Sequence, residues 1–245
     1  MGRVSQINKI PSLAALLYKH LSGQQEKRFT ADTDGFLHVT DLFSACMRQI
    51  FLTQKHKVSI FEHIPPAKRL LFDVGDAFEK VIKQYMRDMG VFAESHPELR
   101  DNDLRIVATP DGRLLNRMIM EIKGKDPALW ILSARRPTRQ HQFQCEEYIR
   151  LDKAKIGLIF EATWGKKKVP FRSHVVHFNL KAANVVKRTV GALREAEAGG
   201  PLPGRVCLSQ DEKRAMQCPV RDLCFAEESN KPMRTIEQEL GSEST

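Results

Sequence analysis

The reading of this chain turns on Pro110-Asp111 and, ten residues beyond the Asp, on the strand-like run Met118-Ile119-Met120-Glu121-Ile122-Lys123. A strand turns residues i and i+2 to one face, roughly 6–7 Å apart, so Glu121 and Lys123 look the same way. Two carboxylates such as Asp111 and Glu121, brought to ~4 Å at an effective dielectric of about 20, repel by about 4 kcal/mol and call for a cation. Oxygen ligands alone favour Mg²⁺ or Mn²⁺. The competing reading is a solvated strand edge on which Glu and Lys alternate with apolar neighbours.

At 245 residues the chain can bury a core without a disulfide scaffold. A formal charge of +9 and a pI near 9.4, with basic groups at Arg135, Arg136 and Arg139 and at Lys166-Lys167-Lys168, point to an anionic polymer, nucleic acid above all. Each basic group alone reads more readily as a solvated face. No stretch approaches the ~18 apolar residues of a membrane span, and Met1-Gly2-Arg3-Val4-Ser5-Gln6 is neither a signal peptide nor a myristoylation motif. A cytoplasmic protein is expected, and its five cysteines then read as metal ligands or core thiols, not as disulfides.

The first third reads as helical. Leu13, Leu16, Leu17 and Leu21 form one stripe, and Leu42, Phe43, Cys46, Ile50 and Phe51 another behind a Thr40 cap. Pro65-Pro66 opens a longer helix with Leu70, Leu71, Val74, Phe78, Val81, Ile82, Tyr85 and Met89 at helical spacing, stopped by Gly90. From Val91 to Lys123 short strands take over, with turns at Asp101-Asn102-Asp103 and Asn116. Asp126-Pro127 begins a short helix through Trp130, and Pro137 begins another reaching Leu151. Strands over 155–163 and 173–178 follow, then a helix over 180–198 that stops at Gly199-Gly200-Pro201.

A helix, antiparallel strands bearing Asp and Glu-x-Lys, then a helix and a further strand resembles the PD-(D/E)xK nuclease superfamily over roughly 68–178. Gln144 and Tyr148, at the Gln-x-x-x-Tyr spacing, make the chain most similar to its RecB-like branch. The resemblance implies an α/β (α+β) fold with a restriction-endonuclease-like core, a mixed central sheet flanked by helices. It also implies phosphodiester hydrolysis with Mg²⁺ or Mn²⁺ held by Glu79, Asp111, Glu121 and the Ile122 carbonyl. Lys123 would position or deprotonate water or stabilise the oxyanion, Gln144 would orient Lys123 or a phosphate oxygen, and Tyr148 would brace the site. Two departures stand out: Glu79 occupies a position where RecB-like members often carry His, resembling instead the lambda-type phage exonucleases, and Ala108 replaces a common Gly. His141, one turn before Gln144, is read toward the substrate, whereas His174 and His177 are read as structural or solvated. Trp130 and Trp164 are read as packing.

Cys46 upstream and Cys207, Cys218 and Cys224 downstream resemble the iron–sulfur staple of AddB-type helicase-nucleases and CRISPR-associated RecB-like exonucleases. That likeness implies a 4Fe-4S cluster. Ten residues separate Cys207 from Cys218 where the pattern has two, so Zn²⁺ on four thiolates stays open. Cys145 is read as packing. The expected organisation is an N-terminal helical region over 1–65 contributing one cluster cysteine, a nuclease core over 66–180, a helix and cysteine segment over 181–230, and a polar, disordered tail over 231–245. The expected function is a metal-dependent DNA exonuclease acting on single-stranded or duplex ends in recombination, repair or end processing, phage- or CRISPR-associated, as a homo-oligomer or with a recombination or helicase partner. The alternatives are an endonuclease or nickase of the same fold with structural zinc, or an inactive nucleic-acid-binding module.

Overall fold

The structure is a computed structural model that describes residues 35–43, 46–56, 58, 66–94, 97–115, 117–125, 130, 136–163, 170–226 and 234–241. The expected stripe at Leu13–Leu21, the helix start at Asp126-Pro127, Arg135, Lys166–Lys168 and Trp164 lie outside these residues.

Two mixed sheets flanked by helices form an α+β architecture. In chain order the elements begin with β1 (Leu37–His38), α1 (Val39–Leu42), α2 (Met47–His56) and α3 (Pro66–Asp88). Five short strands follow: β2 (Phe92–Glu94), β3 (Leu99–Asp101), β4 (Ile106–Ala108), β5 (Gly112–Leu114) and β6 (Ile119–Lys125). Then come α4 (Arg139–Leu151), β7 (Ile156–Thr163), β8 (Phe171–His177), α5 (Leu180–Glu197), α6 (Lys213–Met216), α7 (Arg221–Ala226) and α8 (Ile236–Gly241). The larger sheet runs β2-β5-β6-β7-β8 and the smaller β1-β4-β3. Only β6 and β7 are parallel in the larger sheet, and α4 supplies the crossover such a pair requires.

Strand alternation sorts the core. Met120 and Ile122 of β6 turn toward α3 and pack with Ile82, Met86 and Phe92. Across the sheet, Ile159 and Val176 meet Cys145 and Ile149 of α4. A third cluster joins Leu37, Leu42, Met47, Ile106, Val186, Val190, Leu193 and Ile236 from the smaller sheet and its helices. Glu121, Lys123 and Lys125, one position out of phase with Met120 and Ile122, share the α4 face.

Helix ends follow local chemistry. Thr138 caps α4 by accepting from the His141 N–H at 3.3 Å, so the helix starts two residues after Pro137. Asn179 caps α5 by accepting from Lys181 N and Ala182 N. Gly90 closes α3 at φ 68°, where a side chain would be strained.

Three expectations need correction. The stripe Leu42–Phe51 is not one helix behind Thr40: α1 ends at Leu42, α2 begins at Met47, and Cys46 lies between them. The apolar stripe of α3 is wider than its contact with the sheet. Ile82 and Met86 are buried, but Leu71, Val74, Val81, Tyr85 and Met89 are exposed, because one i, i+4 row suffices to seat the helix. Within the tail expected to be disordered, α8 forms. Ile236 is fully buried in the third cluster, and Glu237 N donates to Phe43 O at 3.0 Å.

Candidate active site and cysteine cluster

Gly112 pairs with Met120 across the β5–β6 hairpin, which brings Asp111 beside Glu121 and Ile122. The Ile122 N–H donates to Asp111 Oδ2 at 2.5 Å. Burial pushes the Asp111 carboxyl well above the usual range, and the charges of Glu121 and then Glu79 push it further. Glu121, 2% exposed, is also raised, chiefly by burial, although the Lys123 ammonium holds it down. Lys123 forms an ion pair with Glu121. Burial alone would lower its pKa, but Glu121, Asp111 and Glu79 outweigh burial and raise it. Glu79 of α3, which pairs with Lys83, acts on the group through its charge. One ammonium thus feels three carboxylates, two of them largely withdrawn from water, where like charges repel most strongly.

Glu79 and Lys123 border an open groove of about 480 Å³ between α3 and β6, lined also by Leu71, Phe72, Gly75, Ile122 and Gly124. Behind it, Gln144 Nε2 donates to the Tyr148 hydroxyl oxygen at 2.5 Å. Burial, then the Glu121 charge, raises the Tyr148 phenol, which therefore stays protonated and able to donate. Cys145, on the same helix, is fully buried and its thiol is pushed up to about 12, first by burial and then by Glu121. Such a thiol packs and does not react.

A neighbouring constellation escaped the sequence reading. Glu161 of β7, opposite Lys123 in the parallel register, is fully buried. Lys125 Nζ lies 3.1 Å from one of its oxygens and His141 Nδ1 3.8 Å from the same oxygen, while His174 Nε2 lies 3.5 Å from the other. The signal was there: an acid inside the apolar run Ile156–Ala162, facing a Glu-x-Lys-x-Lys strand. Burial raises the Glu161 carboxyl, but the His141 and Lys125 side chains beside it more than offset this and bring it to about 2. Its contribution to stability is therefore present above the ordinary carboxylate range and is lost as pH falls toward 2. Glu161→Gln leaves Lys125 buried without its counter-charge, so chemical denaturation at neutral pH should show a loss of about 3 kcal/mol and a flatter acid limb.

Burial raises Cys207, Cys218 and Cys224, and for each of the three the charge of Cys46 adds to the upward shift. The Val220 N–H also hydrogen-bonds Cys218 and opposes that shift. Arg48, fully buried on α2, donates to the Pro203 and Cys224 carbonyls at 3.2 Å each, tying the C-terminal segment to the helix after Cys46. All five cysteines are free thiols. Among the described residues, no set of three or more His, Cys, Asp or Glu side chains already stands at ligating distances, in either centre. Both donor sets nevertheless suit their groups: buried oxygens of like charge for a hard dication, and four thiols with an N–H donated to sulfur for zinc or a cluster.

Arg136 is exposed ahead of α4, whereas the Arg139 guanidinium lies against Gly241 of α8. Trp130 packs as expected, buried beneath Arg172, whose guanidinium lies 3.8 Å from the ring centre. No helix among the described residues is long and apolar enough to cross a membrane.

No protein-family model and no curated protein matches the sequence. Among solved structures, SSO0001 aligns over 88% of this chain and 98% of its own, at 16% identity and a TM-score of 0.49. The alkaline exonuclease LHK-Exo of Laribacter hongkongensis aligns over 74% of this chain and 93% of its own, at 12% identity and a TM-score of 0.52. Its complex with dAMP aligns over the same shares at a TM-score of 0.53. The chain therefore shares the fold of that alkaline exonuclease.

Proposed function

We propose that this chain is a divalent-metal-dependent DNA exonuclease acting on single-stranded ends, with a structural 4Fe-4S cluster, in recombination, repair or end processing in the cytoplasm. The observation that carries the reading is the electrostatic grouping of Glu79, Asp111 and Glu121 about Lys123, with Glu79 and Lys123 lining an open groove. A fold shared with an exonuclease that has been crystallised with dAMP supports it. Glu79, Asp111 and Glu121, with the Ile122 carbonyl, would hold Mg²⁺ or Mn²⁺. When bound, the ion neutralises phosphate charge and acidifies water.

The chain's own residues do the rest. Lys123, whose ammonium form three carboxylates favour, donates to the oxygen that gains charge as phosphorus becomes pentavalent. Gln144 fixes the Tyr148 hydroxyl, and Tyr148 braces Glu121 from the α4 side. Ile122 N–H orients Asp111. Cys46, Cys207, Cys218 and Cys224 would hold the cluster and clamp the two ends of the chain, offsetting loop-closure entropy.

End-labelled single- and double-stranded DNA with Mg²⁺ or Mn²⁺ tests this reading. Stepwise loss of nucleotides from single strands, abolished by chelation, is the expected result. Cutting of a covalently closed circle would make the chain an endonuclease, and binding without cleavage a nucleic-acid-binding module. Stoichiometric zinc without iron would replace the cluster assignment.

A further inference from the structure

A second cleft, of about 700 Å³, opens on the far side of α4 from Gln144 and Tyr148. Its floor is polar. Glu146, 5% exposed, accepts from Gln142 Nε2 at 2.9 Å and from Asn179 Nδ2 at 3.3 Å, and all three residues line the cleft. Its rim is basic and aromatic, with exposed Arg136 and Lys181 and with Phe178, 43% exposed. A buried carboxylate at the bottom excludes a bare anion from the floor but suits a neutral amino donor. The cations above it suit a phosphate. An open aromatic face offers a stacking platform to any base.

His174, which lines the cleft, holds its Nε2 3.5 Å from Glu161, the residue opposite Lys123 in the β6–β7 register.

We propose that this cleft is a subsite for one unpaired nucleotide of the substrate strand: Arg136 and Lys181 take the phosphate, Phe178 stacks on the base, and Gln142 and Glu146, the latter held by Asn179, read an edge that carries an exocyclic amino group. The inference deepens the nuclease reading and rests on it for the identity of the strand, but its test is a binding measurement.

Fluorescence anisotropy with a labelled deoxycytidine oligomer and a labelled thymidine oligomer, across a salt titration, supplies that test in the full chain carrying Lys123→Ala. Cytidine should bind about fivefold more tightly than thymidine, and Glu146→Gln should narrow that gap. The pair Arg136→Gln and Lys181→Gln should reduce the slope of log affinity against log salt by about 1.4. Phe178→Ala should weaken both oligomers by about fivefold or more. A variant-free measurement guards against misfolding: photo-cross-links from 4-thiothymidine in the unsubstituted chain should fall within residues 174–181. An unchanged salt slope in the folded double variant, or cross-links confined to other segments, overturns the subsite. If the oligomers bind and the slope falls while wild-type chain cuts no DNA, the subsite stands and the nuclease reading falls. If the wild-type chain cuts DNA and the slope is unchanged, only the subsite falls.

Discussion

Replacing Lys123 by alanine should slow DNA cleavage by about 10³-fold or more while the chain still folds. Among the described residues this side chain is the cation paired with the buried Glu121, and three carboxylates raise its pKa, so its loss removes the positive charge at that point. Arginine should not rescue it, because a planar guanidinium cannot take the place of a compact ammonium. Stability should fall by no more than about 2 kcal/mol, since Asp111 and Glu121, already raised, can take up protons in its absence. Asp111→Asn should be equally inactive yet unfold later in metal-free buffer, by about 1 kcal/mol. It removes one of two like charges from a buried site, and the amide oxygen can still accept from the Ile122 N–H. A purified Lys123→Ala or Asp111→Asn variant that degrades end-labelled single strands at the wild-type rate would remove the catalytic assignment. The opposed stability effects separate loss of a reactive group from loss of fold.

The hairpin that bears Asp111 and Glu121 was legible because it depends on period-2 alternation and on two residues ten apart, both of which are local. The same holds for α4, whose Gln144 and Tyr148 lie on one face by helical geometry alone. What stayed illegible depends on register between distant segments. Glu161 faces Lys123 only because β7 adds parallel to β6 in one frame, and a shift of one residue would turn it to the other side of the sheet. The width of the α3 stripe misled for a related reason. An apolar row at helical spacing shows that a helix can bury a face, and it does not show how much of that face the sheet will cover. Ile236 was passed over because one apolar residue in a polar tail carries no period. Its burial against α5 and Phe43 comes from tertiary packing. The cysteines lie between these cases. Their types and order suggest a clasp, but the ten-residue gap after Cys207 leaves the pattern, and only the folded chain brings the charge of Cys46 to bear on each of the three downstream thiols.

On the proposed cysteine ligation, Cys46→Ala should abolish metal binding there and lower stability by about 4 kcal/mol or more. The effect should far exceed what packing at that position can supply. Cys46 is half-buried between two helices, and a thiol lost from such a place costs little on its own. As a ligand it would instead close a loop of more than half the chain against Cys207, Cys218 and Cys224, and loosening that loop releases the entropy the clasp had removed. Arg48 would still hold the Pro203 and Cys224 carbonyls, so the segment should not detach completely. It should, however, become the first site of limited proteolysis, within residues 203–226. Cys145→Ala supplies the contrast. Its sulfur is fully buried against Gly157 and Ile149, so its removal leaves a cavity and costs about 1 kcal/mol, but metal content should not change. Iron, zinc and sulfide measured per chain, with visible absorbance after anaerobic purification, read the difference directly. Equal metal content in the Cys46→Ala and Cys145→Ala chains would show that the upstream thiol is no ligand, and the two ends of the fold would then be joined by Arg48, by the packing of Leu52 on Val220 and by the contact of α8 with Phe43.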